Sequence, residues 1–435
     1  MSDVISINEG RNTVSSRWTP LQKLLFRFAL VYLALTGSYW VFVFADRMTA
    51  FVSKPFNAVW HPLAQWTAAH LLHWPADVEP HFLYDTRYLY SLVACWLIFA
   101  AVAAAVWSVL DRKRGDYVVL NHWLRVFLRY VLAYILLHYG MDKVFLIQFP
   151  APSLARLTEP FGDYSPSSLM WAFIGASTTY TIFGGLAEVL AGVLLLWRRT
   201  ATLGALIGFA VMFNVTVMDF SYDVGVKLLC LHILLMATYL VLPDVHRLVQ
   251  FFVLNRATAA AQLDPAPLPR RQQRVAWGVK AVVILLLIVP LTLREWKSYR
   301  EMRAVVSRTP MYGLYEVDSF ALAGVERPPL LTDTVRWRSV ILERPEMIVL
   351  RHMDGSLSTY RMHYDAAQRT ITVDAKGEAA DKSLLTVTQP AADIMEITGT
   401  FAGVPVTARM HRVDRSHFTL VNRGFHWVSE SSFVR

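Results

Sequence analysis

Apolar residues run in blocks of roughly 20 between residues 21 and 293, and short alternating stretches then continue to the C-terminus. A block of that length crosses about 30 Å of hydrocarbon at about 1.5 Å per residue. Spans are therefore predicted at 21–45, 88–110, 122–149, 167–197, 201–218, 225–242 and 275–293. Between the first two, Leu63, Trp66, Leu71 and Trp74 recur at helical spacing, which predicts an interfacial helix over about 62–74. His61, His70 and His73 are interspersed there. Three histidines so close invite a metal, but anchoring by His and Trp at a membrane interface is the simpler reading.

From Tyr312 onward the runs MIVLRHM, LSTYRMHYD, RTITVDA and DIMEITGTF are separated by turn residues such as Asp354-Gly355. That pattern predicts an antiparallel barrel or sandwich of about eight strands. The fold class expected is thus an α-helical polytopic membrane protein with a C-terminal β-domain. Its parts are a membrane domain over 1–254 with its core bundle at 122–249, a linker at 255–273, a last span at 274–294 and the β-domain at 295–435.

Composition agrees, since 55% of the 435 residues are hydrophobic and only 17% are charged. Lipid is the expected solvent. Loop charge sets the orientation: sixteen Lys and Arg lie on the side of the N-terminus and six on the other, so the N-terminus is expected in the cytoplasm and the β-domain in the periplasm of a bacterial inner membrane. The first 20 residues lack the apolar stretch and small-residue cleavage site of a cleaved signal peptide. The Pro- and Arg-rich stretch LDPAPLPRRQQR suits a linker beside anionic headgroups, so the net charge of +9 calls for no nucleic acid. Cys95 and Cys230 both lie in apolar blocks, which excludes a disulfide framework, zinc ribbons and CxxC redox chemistry.

Ionisable groups inside spans are costly and are the candidate chemistry. Tyr130, Tyr134, His138 and Asp142 fall four apart on one stripe of the third span, with Tyr139 and Lys143 on the adjoining face. Measured from the outer ends of the spans, Asn214 lies roughly 8 Å deep, Lys143 roughly 9 Å, His232 roughly 11 Å and His138 roughly 16 Å. Asp219, Tyr222, Asp223 and Lys227 crowd the connector above them. An outward polar pocket is therefore expected, with His138, Asp142 and Lys143 as its chemical groups and Tyr139, Glu188, Asn214, Asp219, Asp223, Lys227 and His232 as binding groups. On the same ruler Glu188 comes out about 30 Å deep, level with Arg129, which predicts an ion pair between the two. Gly184, Glu188 and Gly192 recur every four residues and predict a close helix-packing face. The hydroxyls of the TTYT run at 178–181 are expected on backbone carbonyls.

The runs YGMDKVFLIQFP at 139–150 and GGLAEVLAGVLLLWRR at 184–199 resemble the DoxX-like membrane proteins, with Gly140, Lys143 and Glu188 at the matching positions. MYGLYEVDSF, VRWRSVI and RGFHWVSE resemble the β-domain extension of some members. The resemblance implies a four-helix membrane core and an association with membrane redox chemistry, including quinone-linked assemblies. By the same analogy Lys143 would act as a base toward a quinol, as in the similar bundle of vitamin K-dependent carboxylase-like proteins. No haem, flavin or iron-sulfur signature accompanies it, so a redox partner protein would have to carry electrons.

Three functions stay open from the residues: a quinone-linked redox component, an envelope assembly or anchoring protein, and a small-molecule permease. For the β-domain, ligand capture, partner docking and a cap over the pocket compete. His426 and Trp427 are expected to be packed corner residues.

Overall fold

The computed structural model describes residues 18–44, 46–75, 84–259, 270–374 and 382–431. Helices fill the N-terminal two-thirds: α1 (Pro20–Phe44), α2 (Asp46–His70), α3 (Arg87–Leu110), α4 (Val118–Val144), α5 (Leu154–Leu157), α6 (Pro166–Ala176), α7 (Thr178–Leu195), α8 (Ala201–Ser221), α9 (Lys227–Val241), α10 (Val245–Phe252) and α11 (Arg270–Arg308). Seven helical segments among the described residues are long and apolar enough to cross a membrane, α9 and α10 counting as one. The linker positions 260–269 lie outside the described residues.

Local chemistry sets several of these boundaries. Thr86 caps α3 by accepting from the Leu89 amide at 3.3 Å, and the helix stops at Asp111. The helix expected at 62–74 is the second half of α2, which starts 16 residues earlier and carries Pro55 and Pro62 inside it. The expected fourth span is in fact two helices. Ser177, in extended conformation, separates α6 from α7, and its hydroxyl accepts from the Tyr180 amide at 3.2 Å. Thr181 donates to the Ile174 carbonyl at 2.8 Å, so one hydroxyl of the TTYT run sits on a backbone carbonyl as expected, and in doing so bridges a break that was not expected.

The β-domain is a closed antiparallel barrel of eight strands. Its strands are β1 (Gly313–Leu322), β2 (Val325–Glu326), β3 (Trp337–Arg344), β4 (Met347–His352), β5 (Leu357–Asp365), β6 (Thr370–Asp374), β7 (Lys382–Ala391), β8 (Ile394–Phe401) and β9 (Val404–Val413). β2 only extends the tip of β1, and β9 closes on β1 with Leu314 opposite Val413 and Leu322 opposite Val406. A short helix α12 (Thr419–Asn422) follows.

Inward residues alternate along each strand and fill the barrel with Val340, Leu342, Ile348, Leu350, Ile371, Val373, Leu385, Met395 and Ile397. Eight strands leave an interior just wide enough for side chains. Trp337 packs on Phe320 at 5.3 Å and on Phe401 at 5.2 Å between ring centroids. Apolar side chains pack this interior among the described residues. Arg336 is buried beside it and donates to the carbonyls of Arg327, Trp337, Val317 and Asp318 at 2.9 to 3.4 Å. Burial pushes its guanidinium below the ordinary value.

The chain divides into two compact units, one holding the described residues up to Tyr139 together with Ala187–Leu285, the other Gly140–Leu186 with the described residues from Leu286 onward.

Candidate functional site

In the first unit, α1 supplies an aromatic column that the polar pattern did not reveal. Tyr32, Trp40 and Phe44 fall at helical spacing on one side of α1, and each meets a histidine. His232 on α9 is buried; its Nε2 lies 2.8 Å from the Tyr32 hydroxyl and its Nδ1 2.6 Å from the Leu228 carbonyl. Its ring sits 6.1 Å from Trp40. His138 on α4 is equally buried, its ring 4.9 Å from Phe44, 6.2 Å from Tyr134 and 6.1 Å from Tyr139. The two histidines therefore meet α1 one helical turn apart, at Phe44 and Trp40. Tyr134 ties the column down by donating to the Phe44 carbonyl at 3.3 Å.

The remaining predicted residues of this unit take three different places. Asp219 is buried and accepts from the Cys230 thiol at 3.0 Å. Asp223 and Lys227 pair at 3.0 Å across the connector between α8 and α9, where Asp223 is in the left-handed region, and the carboxylate of Asp85 caps α9 by accepting from the amides of Lys227 and Leu228 at 2.7 and 3.0 Å. Asn214 is exposed on the outside of α8, its amide 3.8 Å from the Met218 sulfur, and does not join the buried groups.

Glu188 is almost completely buried. Its depth differs from the expected value because α7 starts at Thr178, ten residues before it, so it lies roughly 15 Å along its helix and not 30 Å. The neighbouring Gly192 fixes the register: a Cβ there would stand 3.1 Å from the Ala133 carbonyl and 2.8 Å from Leu137. Glu188 is one turn nearer the start of α7 and so comes level with His138, more than two turns along α4 from Arg129. The packing face holds at Glu188 and Gly192 and differs from the expected one at a single position. Gly184 faces open space, whereas a Cβ on Gly185 would lie 2.6 Å from the Gly140 carbonyl and 2.8 Å from the Lys143 Cβ.

In the second unit, Lys143 is buried, with its ammonium 5.9 Å from the centre of the Phe149 ring. Asp142 lies in the last turn of α4, and its carbonyl accepts from the amides of Ile147 and Gln148 at 2.7 and 3.2 Å. The chain then doubles back. Trp171 donates to the Gln148 carbonyl at 3.1 Å, and a Cβ on Gly175 would strike the Pro150 carbonyl at 2.2 Å. Among the described residues no cluster of three His, Cys, Asp or Glu with metal-binding geometry occurs, and His70 contacts the Trp66 carbonyl on its own helix at 3.0 Å.

The most elaborate polar assembly is on the barrel wall and was missed altogether. Leu314, Ile341, Val349 and Arg351 point away from the barrel interior, yet the segment 152–158 covers them. Leu154 packs on Leu314 and Ile341. The Leu154 amide, unpaired in the first turn of α5, donates to the Glu343 carboxylate at 2.5 Å. Arg351 donates to the carbonyls of Thr158 at 2.7 Å and Ala155 at 3.4 Å, and Arg415 donates to the Pro152 carbonyl at 3.2 Å. Burial, foremost, pushes the Arg351 guanidinium down, with Glu159 and Asp163 opposing. Two arginines and a glutamate thus bond the backbone of a loop that lies 189, 193 and 263 residues earlier in the chain.

No family profile matches the chain, and no solved structure does. Over 133 residues it is 31% identical to the uncharacterized protein YwoB of Bacillus subtilis (strain 168), a match covering 79% of that protein. This chain belongs to the YwoB family. The match takes in 28% of this chain, so most of its length lies outside the segment shared with YwoB. Family membership therefore accompanies the site geometry without assigning it an activity.

Proposed function

We propose that this chain is an envelope scaffold of the bacterial cytoplasmic membrane, whose helical spans hold the β-barrel on the periplasmic side for a partner protein. The observation that carries this reading is the seat of the barrel wall on the segment 152–158 through Glu343, Arg351 and Arg415. A barrel whose interior is lined with packed apolar side chains offers its outside to a partner, and one part of that outside is already committed to the loop. The charge bias of the connectors supports the orientation.

Photo-crosslinking from Arg361, His363 and Thr398, exposed on the barrel, tests the reading in native membranes. A discrete protein adduct from one face of the barrel is expected. Labelling of lipid alone from every position would overturn it.

A quinone-linked role is the second reading, favoured by the burial of His138 and His232 among Phe44 and Trp40 rings and consistent with the DoxX-like resemblance. Histidine and tyrosine in an aromatic setting suit the oxygens and ring of a quinone. Mass spectrometry of lipophilic molecules bound to the purified protein distinguishes the two. A quinone retained by wild type and lost in folded His138→Ala and Lys143→Ala variants supports the redox role, and equal nonspecific lipid in all three removes it.

A further inference from the structure

The expectation for RGFHWVSE fails in an informative way. His426 is exposed and Trp427 89% exposed, so neither is a packed corner, and Phe425 beside them is 84% exposed. Leu420 and Val428 beside them are exposed as well. Large apolar side chains in such a run mark a surface that something covers.

Their position is set by the residues just before them. Arg415 donates to the Pro152 carbonyl at 3.2 Å, and Phe418 packs on the cluster of Leu154, Leu314 and Ile341. The tail therefore leaves the barrel at the segment that follows α4, eight residues beyond its end at Val144. The same compact unit carries two markers of a membrane boundary. Trp171 bonds the Gln148 carbonyl at 3.1 Å, and half-exposed Trp296 lies 6.3 Å from Phe145 where the apolar run of α11 gives way to Arg294, Glu295 and Lys297. Phe161, in the loop between α5 and α6, is 76% exposed. Trp, an apolar ring with a polar N–H, collects where headgroups meet acyl chains.

We propose that Leu420–Val428 is a membrane-surface anchor in which Phe425 and Trp427 enter the interfacial layer of the bilayer beside the segment 145–161, with Arg423 and His426 kept among the headgroups. The occupant of the exposed patch is lipid. The chain reaches it easily, since five extended residues past Asn422 span up to roughly 18 Å. The anchor rests on the scaffold reading, because the barrel wall must stay seated on 152–158 for the tail to start at the membrane.

The test uses the full chain with Cys95→Ala and Cys230→Ser, in nanodiscs of phosphatidylcholine and phosphatidylglycerol. A nitroxide at Ser429 leaves the aromatic residues intact, and one at Gln368, on an exposed turn of the barrel, serves as the water reference. Oxygen-favoured relaxation at 429, lost in the Phe425→Ser/Trp427→Ser variant, is expected, with nickel-chelate-favoured relaxation at 368 throughout. Nickel access at 429 equal to that at 368 in the parent protein overturns the anchor. Exclusion of both reagents at 429 also overturns it, because protein then covers the tail. The seat itself is read separately from the distance between nitroxides at Asp163 and Glu346. A narrow distribution with a water-exposed tail defeats the anchor alone, whereas a broad one defeats the scaffold reading and the anchor with it.

Discussion

Arg351 Nη1 lies 2.7 Å from the carbonyl oxygen of Thr158, a contact that joins the outer wall of the barrel to a loop 193 residues earlier in the chain. A guanidinium already bonded and buried is hard to replace. Arg351→Ala leaves the Thr158 and Ala155 carbonyls without this donor, and the loss is expected at roughly 1.5–3 kcal/mol, the range for hydrogen bonds to charged groups. Limited proteolysis should show faster cleavage within 150–165. Arg351→Lys should recover only part of the protection, since an ammonium cannot reproduce the planar fork.

Gly184 and Gly185 give a paired test of the helix-packing face. Gly185→Ala places a methyl within 2.6 Å of the Gly140 carbonyl, while Gly184→Ala meets nothing within 4 Å. The first should lower the thermal midpoint of the detergent-solubilised protein, measured by loss of the monodisperse chromatographic peak. The second should leave it unchanged or slightly higher, because alanine favours a helix by about 1 kcal/mol over glycine.

Trp337 is nearly inaccessible between Phe320 and Phe401. Trp337→Ala should cost about 3–5 kcal/mol through lost burial and the cavity left behind. Pulse proteolysis in urea will read this as an earlier unfolding midpoint of the barrel. Trp337→Phe should fall between the two.

His232 and Tyr32 form a buried pair at 2.8 Å. Substituting either one alone by phenylalanine leaves the other polar group unsatisfied, at about 1–3 kcal/mol. The double variant should be less destabilised than the sum of the singles, and a thermodynamic cycle measures the coupling.

Acid should loosen the barrel. The backbone amide of Arg336 foremost, then the Val335 amide and the Arg327 guanidinium, hold the Asp333 carboxyl below the usual carboxylate range. Side-chain and backbone bonds from Ser356 lower Asp354, and the Ser416 amide foremost lowers Asp414. Groups whose folded pKa is depressed stabilise above the unfolded value, about 3.9 for Asp, and lose that contribution as pH falls through the folded value. Barrel stability should thus be level at neutral pH with respect to these groups and drop below about pH 4. Asp333→Asn should flatten that drop in part, read from urea midpoints at a series of pH values.

The spans and the strands were legible because each rests on a local period: long apolar blocks in one half, alternation in Ile371–Val373 and Met395–Ile397 in the other. The break at Ser177 was not, because 167–197 is apolar throughout and hydropathy does not register the close approach of Gly175 to Pro150. That break in turn misplaced Glu188. Choosing Gly184 over Gly185 was an error of one residue in helical phase, which a small-residue pattern alone cannot resolve. The seat of the barrel on 152–158 lay out of reach, since Arg351 and Glu343 read as ordinary surface charges on a strand until the distant loop covers them. Trp427 failed for the opposite reason: an aromatic in a motif reads as packed, and this one stands outside the core.

The barrel closes where β9 meets β1, with Val413 opposite Leu314, and that seam determines when the molecule can be finished. Sequence-distant pairings form late because the chain between them must be ordered first. A ribosome delivers the helical spans and the segment 152–158 long before Val404–Val413, so the loop has to wait with its Leu154 and its carbonyls uncovered. During synthesis this protein therefore passes through a stage in which its spans are complete and its barrel is open, and the last strand both closes the sheet and brings Arg415 to Pro152.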